Sequence, residues 1–277
     1  MTEPLPFTAR VPGPRARGSG FSPRETLSLA LALVRRDLAL HHRHTRLGIL
    51  WGVVPPLLAV GVLDLFLGRV AGVARSVSGV PYPVFLYSGL LAWQFLARAA
   101  SSGAGSVVSH GWVLTQIRFP RIVLPASHVA TGALDFALGS LGMLLWTLVA
   151  GPAPGPHLLL WPVAVAALFL LSLALAVVLS AAAVFLRDVL PAVPYAMQVL
   201  FVASPVLYPL SAAEEHVPRA LLLANPATGV LETFRSAWLG TPLDVPALLV
   251  SLAISVALLG LGCAWFLRVE HRFADIL

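Results

Sequence analysis

The chain has 277 residues, 58% of them apolar and 11% charged, with a mean hydropathy of +0.88. A soluble domain of this size carries roughly a quarter charged residues, so a water-dressed globular enzyme is excluded. The 18 basic residues outnumber the 12 acidic ones for a net charge of +6, and all are arginine. That balance would suit a polyanion in a soluble protein, so the placement of the arginines decides its meaning. The single cysteine, Cys263, forbids a disulfide or a cysteine metal cluster within one chain.

Residues 1–23 are rich in proline, glycine and arginine and lack the apolar core of a signal peptide. They read as a disordered cytoplasmic tail ahead of a transmembrane domain over 24–277. From Arg24 to Arg46, Leu27, Leu29, Leu31, Leu33, Val34, Leu38 and Leu40 interleave with Arg35, Arg36 and Arg43. This pattern predicts an amphipathic helix in the cytoplasmic interface, with arginines reaching lipid headgroups. The run His41-His42-Arg43-His44 is not read as a metal site, because its arginine repels a cation and no carboxylates accompany it.

A helix that crosses the ~30 Å hydrocarbon core needs about 20 apolar residues. Charge-free stretches, with the Gly151–Pro156 cluster dividing the longest, predict six spans at about 47–68, 84–106, 122–149, 158–186, 190–210 and 245–267. The fold class is all-α and polytopic. Thirteen arginines share one side: eight before the first span, then Arg118, Arg121, Arg187, Arg268 and Arg272. Arg69, Arg75, Arg219 and Arg235 lie on the other side among acidic residues, and Arg98 falls within the second span. Both termini are therefore expected in the cytoplasm. The basic charge sets orientation, and no nucleic-acid partner is expected.

Three features exceed plain spans. The cytoplasmic segment His110–Arg121 mixes aromatic, apolar and basic residues and reads either as an interfacial loop or as a short helix docking into a partner groove. Between spans five and six, Pro218–Ala224 and Ala227–Leu239 are too short to cross. They read either as re-entrant half-helices or as an external loop with a surface helix. Asp64, Arg98 and Asp135 are ionisable groups in apolar stretches, expected to face protein or a cavity. Tyr87, Trp93 and Phe95 either belong to interfacial packing or line a path on which sugar rings stack. No zincin helix or nucleophile elbow occurs, and a chain without lysine cannot build a Walker loop.

Several blocks together resemble the ABC-2 type permeases, especially polysaccharide exporters: Arg46-Leu47-Gly48-Ile49-Leu50-Trp51 with Pro55, Tyr82-Pro83 with Gly89 to Phe95, and Phe119-Pro120-Arg121 running to Leu124-Pro125. Phe185-Leu186-Arg187-Asp188, Ser204 to Pro209, and Asn225-Pro226 with Phe234-Arg235 continue the likeness in family order from about residue 24 onward. Where the family usually carries a lysine before its third span, this chain has Gln116. The resemblance implies a homodimer in the inner or plasma membrane, paired with two copies of a separate ATPase that holds ATP and Mg, with no cofactor in this chain. It implies export of a lipid-linked glycan of O-antigen, capsule or teichoic acid type. Its coupling helix maps onto Trp112, Leu114, Gln116, Arg118, Phe119, Pro120 and Arg121. The expected glycan path uses Tyr87, Trp93, Phe95 and Tyr195, and Arg43, Arg46 and Arg98 are expected to hold a diphosphate head group. Rival readings are an ABC-2 exporter of a drug or lipid, a proton-driven transporter relayed by Asp135, and a membrane-embedded transferase, which the absence of an acidic metal pair or a His-Asp constellation disfavours.

Overall fold

The structure, a computed structural model, describes residues 28, 31–35, 52–70, 72, 76–77, 79–111, 119–150 and 155–276. Among these the chain is helical apart from one short ladder in which Ser76–Val77 (β1) and Val80–Pro81 (β2) pair antiparallel around Gly79, whose φ is +80°. Within the expected interfacial helix, Ser28 and residues 31–35 are helical; the rest of 24–46 and the tail lie outside the described residues.

The first helix, α1 (Val54–Leu63), opens on Pro55 and Pro56, where a missing N–H costs nothing. It continues as a π-helix over Asp64–Val70, within which Arg69 Nε donates to Asp64 at 3.2 Å. The central helix is α2 (Tyr82–Gly105), packed against α1 and against α3 (Val123–Ala150), α4 (Trp161–Phe185), α5 (Val189–Ala203) and α8 (Pro226–Leu239). Its small residues explain that crowding. A Cβ added at Gly103 would lie 2.4 Å from the Ala176 Cβ, so α2 and α4 approach almost backbone to backbone. The middle of the bundle is a phenylalanine cluster in which Phe95 meets Phe169 at 4.6 Å and Phe136 at 5.1 Å, and Phe136 meets Phe234 at 5.8 Å.

Among the described residues, three helical stretches are long and apolar enough to cross a membrane: Val123–Val149, Pro156–Phe185 and Val245–Arg272, the last containing α9 (Val245–Val269). The expected fifth span, 190–210, is shorter in the structure. Helix α5 stops at Ala203 and Ser204 turns extended, with ψ of 151°. Pro205 is the cause, since the residue before a proline is pushed out of the helical region. The 15 residues of α5 therefore reach only about 22 Å.

Beyond the turn come α6 (Leu210–Glu214), α7 (Arg219–Ala224) and α8. The last two match the short helices expected from sequence to within a residue. Both ends of α8 are capped: Asn225 Oδ1 accepts from the Ala227 N–H at 3.0 Å, and Gly240 closes the helix at φ +69°. Helix α8 is buried almost throughout and lies tight on α9. The Gly229 N–H donates to Ser251 Oγ at 3.1 Å, and a Cβ at Gly229 would fall 2.1 Å from the Ala247 carbonyl oxygen. After α9 a 3-10 turn, Glu270–Arg272, leads into α10 (Phe273–Ile276). The ladder and α6–α8 share one end of the bundle, the hairpin end; α10 and Phe119–Arg121 share the other.

Candidate functional site

Stopping α5 before Pro205 leaves carbonyl groups without helical partners, and buried acceptors need donors. Arg235, on α8 and 1% exposed, supplies them. Its Nη1 donates to the carbonyls of Pro205 and Tyr208 and, at 2.9 Å, to Glu232 Oε1; Nη2 donates to the Val206 carbonyl. The guanidinium also lies over the ring of Phe85 on α2, with its Cζ 3.9 Å from the ring centroid. Gly89 makes room, because a Cβ there would come 2.6 Å from Arg235 Nη2 and 2.7 Å from the Val206 oxygen. Tyr82 Oη donates to the Leu207 carbonyl at 3.0 Å, and Asn225 Nδ2 donates to Ser204 Oγ at 2.8 Å. The blocks Ser204–Pro209 and Asn225–Arg235 are thus a single clamp on the start of α2. Sequence placed Arg235 among acidic residues and in the Phe234-Arg235 block of the resemblance but gave it no role of its own; the two prolines bracketing an apolar turn were the available signal.

At the same end Arg219 bridges Glu214 and Asp244, both at 2.6 Å, while Asp244 Oδ1 also caps α9 by accepting from the Ala247 N–H at 3.1 Å. The hydrogen bond to Asp244, the largest influence, raises the Arg219 guanidinium above its ordinary value, so its charge is constant at any physiological pH.

The opposite end holds what the structure describes of the segment expected to dock into an ATPase. Trp112, Leu114, Gln116 and Arg118 lie outside the described residues, as do Arg43 and Arg46. Phe119 and Ile122 pack on a second apolar cluster of Val107, Leu124, Val177, Val184, Phe266 and Phe273, which Leu33 of the N-terminal segment also joins. Phe273 is its keystone. Fully buried, it stacks edge-on with Phe266 at 5.2 Å and Phe185 at 6.1 Å, and Arg121 Cζ lies 6.0 Å above its ring. Pro120 begins the turn whose carbonyl accepts from the Val123 N–H at 3.1 Å, so the segment enters α3 directly.

The four residues expected along a glycan path do not share a surface. Tyr87 is fully buried, donating from Oη to the Gly139 carbonyl at 3.1 Å and meeting Trp146 edge-on. Phe95 belongs to the phenylalanine cluster, and Trp93 packs on Phe201 of α5 at 5.9 Å. Tyr195, 69% exposed, stands on the outward face of α5 with Val199 and Val202. Arg98 on α2 pairs through Nη1 with Asp135 Oδ2 on α3.

An apolar helical bundle with helices long and apolar enough to cross a membrane, closed at one end by an arginine-clamped turn, defines a membrane protein of the polytopic class. The chain matches the ABC-2 type transporter family over residues 28–239, and it belongs to that family. It is 32% identical over 249 residues to the O-antigen export system permease protein RfbA of Myxococcus xanthus, covering 89% of this chain and 94% of that one. It is 24% identical over 254 residues to the O-antigen export system permease protein RfbA of Klebsiella pneumoniae, covering 90% of this chain and 95% of that protein.

Proposed function

We propose that this chain is the membrane-spanning permease subunit of an ATP-driven exporter that moves a lipid-linked polysaccharide, of O-antigen, capsule or teichoic acid type, out of the cytoplasm. The observation that carries the substrate class is the 32% identity, over 94% of its length, to a relative named for O-antigen export. Two copies of the chain work with two copies of a separate ATPase, and ATP and Mg bind there. The chain sits in the inner or plasma membrane with both termini cytoplasmic. Its six spans run through α1 with its π-helix, then α2, α3, α4, α5 and α9, and α7 and α8 re-enter from outside. In the fifth span the unwound Ser204–Pro209 turn completes what the short α5 leaves open.

The segment from Trp112 to Arg121 docks into the ATPase. Support comes from its base, where Phe119 is anchored in the cluster that ties α3, α4, α9 and α10 together, so a push on the segment reaches several spans at once. The glycan passes along the outward face of α5 that presents Tyr195, with Trp93 backing α5 through Phe201 and Tyr87 and Phe95 stiffening the wall behind. Arg43, Arg46 and Arg98 hold the diphosphate of the lipid anchor, a bidentate task suited to guanidinium.

The decisive experiment reconstitutes the chain with its candidate partner ATPase and follows glycan transport in proteoliposomes. Co-elution and transport that stops without ATP are expected. Transport that continues without ATP and collapses with the proton gradient overturns this reading in favour of Asp135 as a relay, and ATP-driven movement of a drug or simple lipid overturns the glycan.

A further inference from the structure

The Arg98–Asp135 pair lies at an informative depth. Arg98 is 16 residues beyond Tyr82, so at 1.5 Å per residue it lies about 24 Å from the hairpin end of α2. The start of α1 gives the same level. A Cβ at Gly52 would lie 3.2 Å from the Asp135 carbonyl oxygen, and Gly52 stands two residues before α1 begins at Val54, at the end of that helix away from the hairpin. In a ~30 Å core, with the orientation proposed above, the pair sits in the cytoplasmic leaflet just inside the headgroup boundary. That is the height at which the phosphates of a lipid-linked substrate wait.

The pair is also lopsided. The Asp135 side chain is 13% exposed and that of Arg98 is 43% exposed, so the acid is set into the protein while part of the cation faces outward. Ionisable groups at such depth are costly and mark function more often than packing. A guanidinium fork receives a carboxylate and a phosphate through the same donors. Pairing with Asp135 lowers the cost of holding an arginine at that depth.

We propose that Asp135 is a built-in substitute for the substrate's diphosphate: it neutralises and aims Arg98 in the empty transporter, yields the guanidinium when a lipid-linked diphosphate enters, and reclaims it as the anchor leaves. Asp135 is then a positioning residue that sets the release rate. The inference rests on the proposed head-group role of Arg98 and adds a competitor to it.

The test uses the full chain with its ATPase in nanodiscs and titrates a fluorescent polyprenyl diphosphate, with polyprenyl monophosphate, inorganic pyrophosphate and an anionic phospholipid as competitors. Asp135→Asn is expected to tighten diphosphate binding about two- to fivefold, the range of a partly exposed ion pair, and to slow transport at saturating substrate through delayed release. Arg98→Gln is expected to weaken binding, and D135N is expected to tighten binding far less in the R98Q background than in the wild type, because the two residues are in contact. Asp135→Glu, which keeps the charge, is expected to restore the wild-type affinity and serves where D135N folds poorly. Unchanged or weaker binding in D135N, with R98Q still impaired, overturns the substitute-anion idea alone. Unchanged binding in R98Q overturns the head-group reading beneath it. Equal competition by the anionic phospholipid assigns the pair to bulk lipid and overturns both.

Discussion

Arg235→Met removes the guanidinium while leaving an apolar stem of similar length over Phe85. The carbonyls of Pro205 and Val206 then lose their donor inside the protein, the longer contact to the Tyr208 carbonyl goes too, and Glu232 loses its partner. A buried acceptor left bare costs about 1–3 kcal/mol, and the stacking on Phe85 contributes up to about 2 kcal/mol in a dry setting. Against this stands relief from burying a charge, so the net loss falls at about 3–5 kcal/mol, as when one partner of a buried ion pair is removed. At 2–4 °C per kcal/mol for a chain near this size, the midpoint of unfolding in nanodiscs should fall by roughly 6–20 °C. Tryptophan fluorescence during a thermal ramp measures it. Arg235→Lys should land between, since an ammonium cannot span two carbonyls as the fork does. Arg219→Met is the control: its pairs are exposed, worth under about 1 kcal/mol. A midpoint for R235M within about 2 °C of wild type would refute the clamp.

Three further outcomes follow from the same geometry. Phe119→Asp should abolish ATPase association on size-exclusion chromatography while membrane insertion stays intact; unchanged co-elution would sink the coupling assignment. Phe273→Ala should cost about 3–5 kcal/mol as a large aromatic lost from a packed cluster and leave ATP hydrolysis running with little transport, so proportional loss of both activities would argue against transmission through this ring. Gly229→Ala should destabilise the protein by at least about 1–3 kcal/mol through overpacking, because its methyl would meet the Ala247 backbone, and wild-type thermal stability would show that α8 and α9 are not so close.

Charge-free stretches located the helices well, because lipid and the core ask the same thing of a side chain. The ends of α3, α4 and α9 fall within a few residues of those read from charge and proline. The end of α5 does not: an apolar run extends through Leu210, but apolarity says nothing about where a backbone unwinds, and Pro205 decided it. The short helices over 219–224 and 226–239 were legible from the short apolar segments that Pro218 and Pro226 set off. Their burial was not, since it depends on Gly229 and Arg235 finding partners far along the chain. Likewise Tyr87 and Phe95 carry the same aromatic signature as a path residue. Only packing separates them from Tyr195.

The two arginines of the hairpin end answer to the medium in opposite ways. Arg235 is sealed at 1% exposure, out of reach of dissolved ions, so its hold on the turn is indifferent to salt. The Arg219 side chain is 45% exposed and joins the end of α6 to the cap of α9 through charges that surrounding electrolyte screens. The floor of the short-helix layer is thus rigid under all ionic conditions, while its link to the last long helix slackens as ionic strength rises. The layer combines a fixed seat with a tether whose strength follows the salt around it.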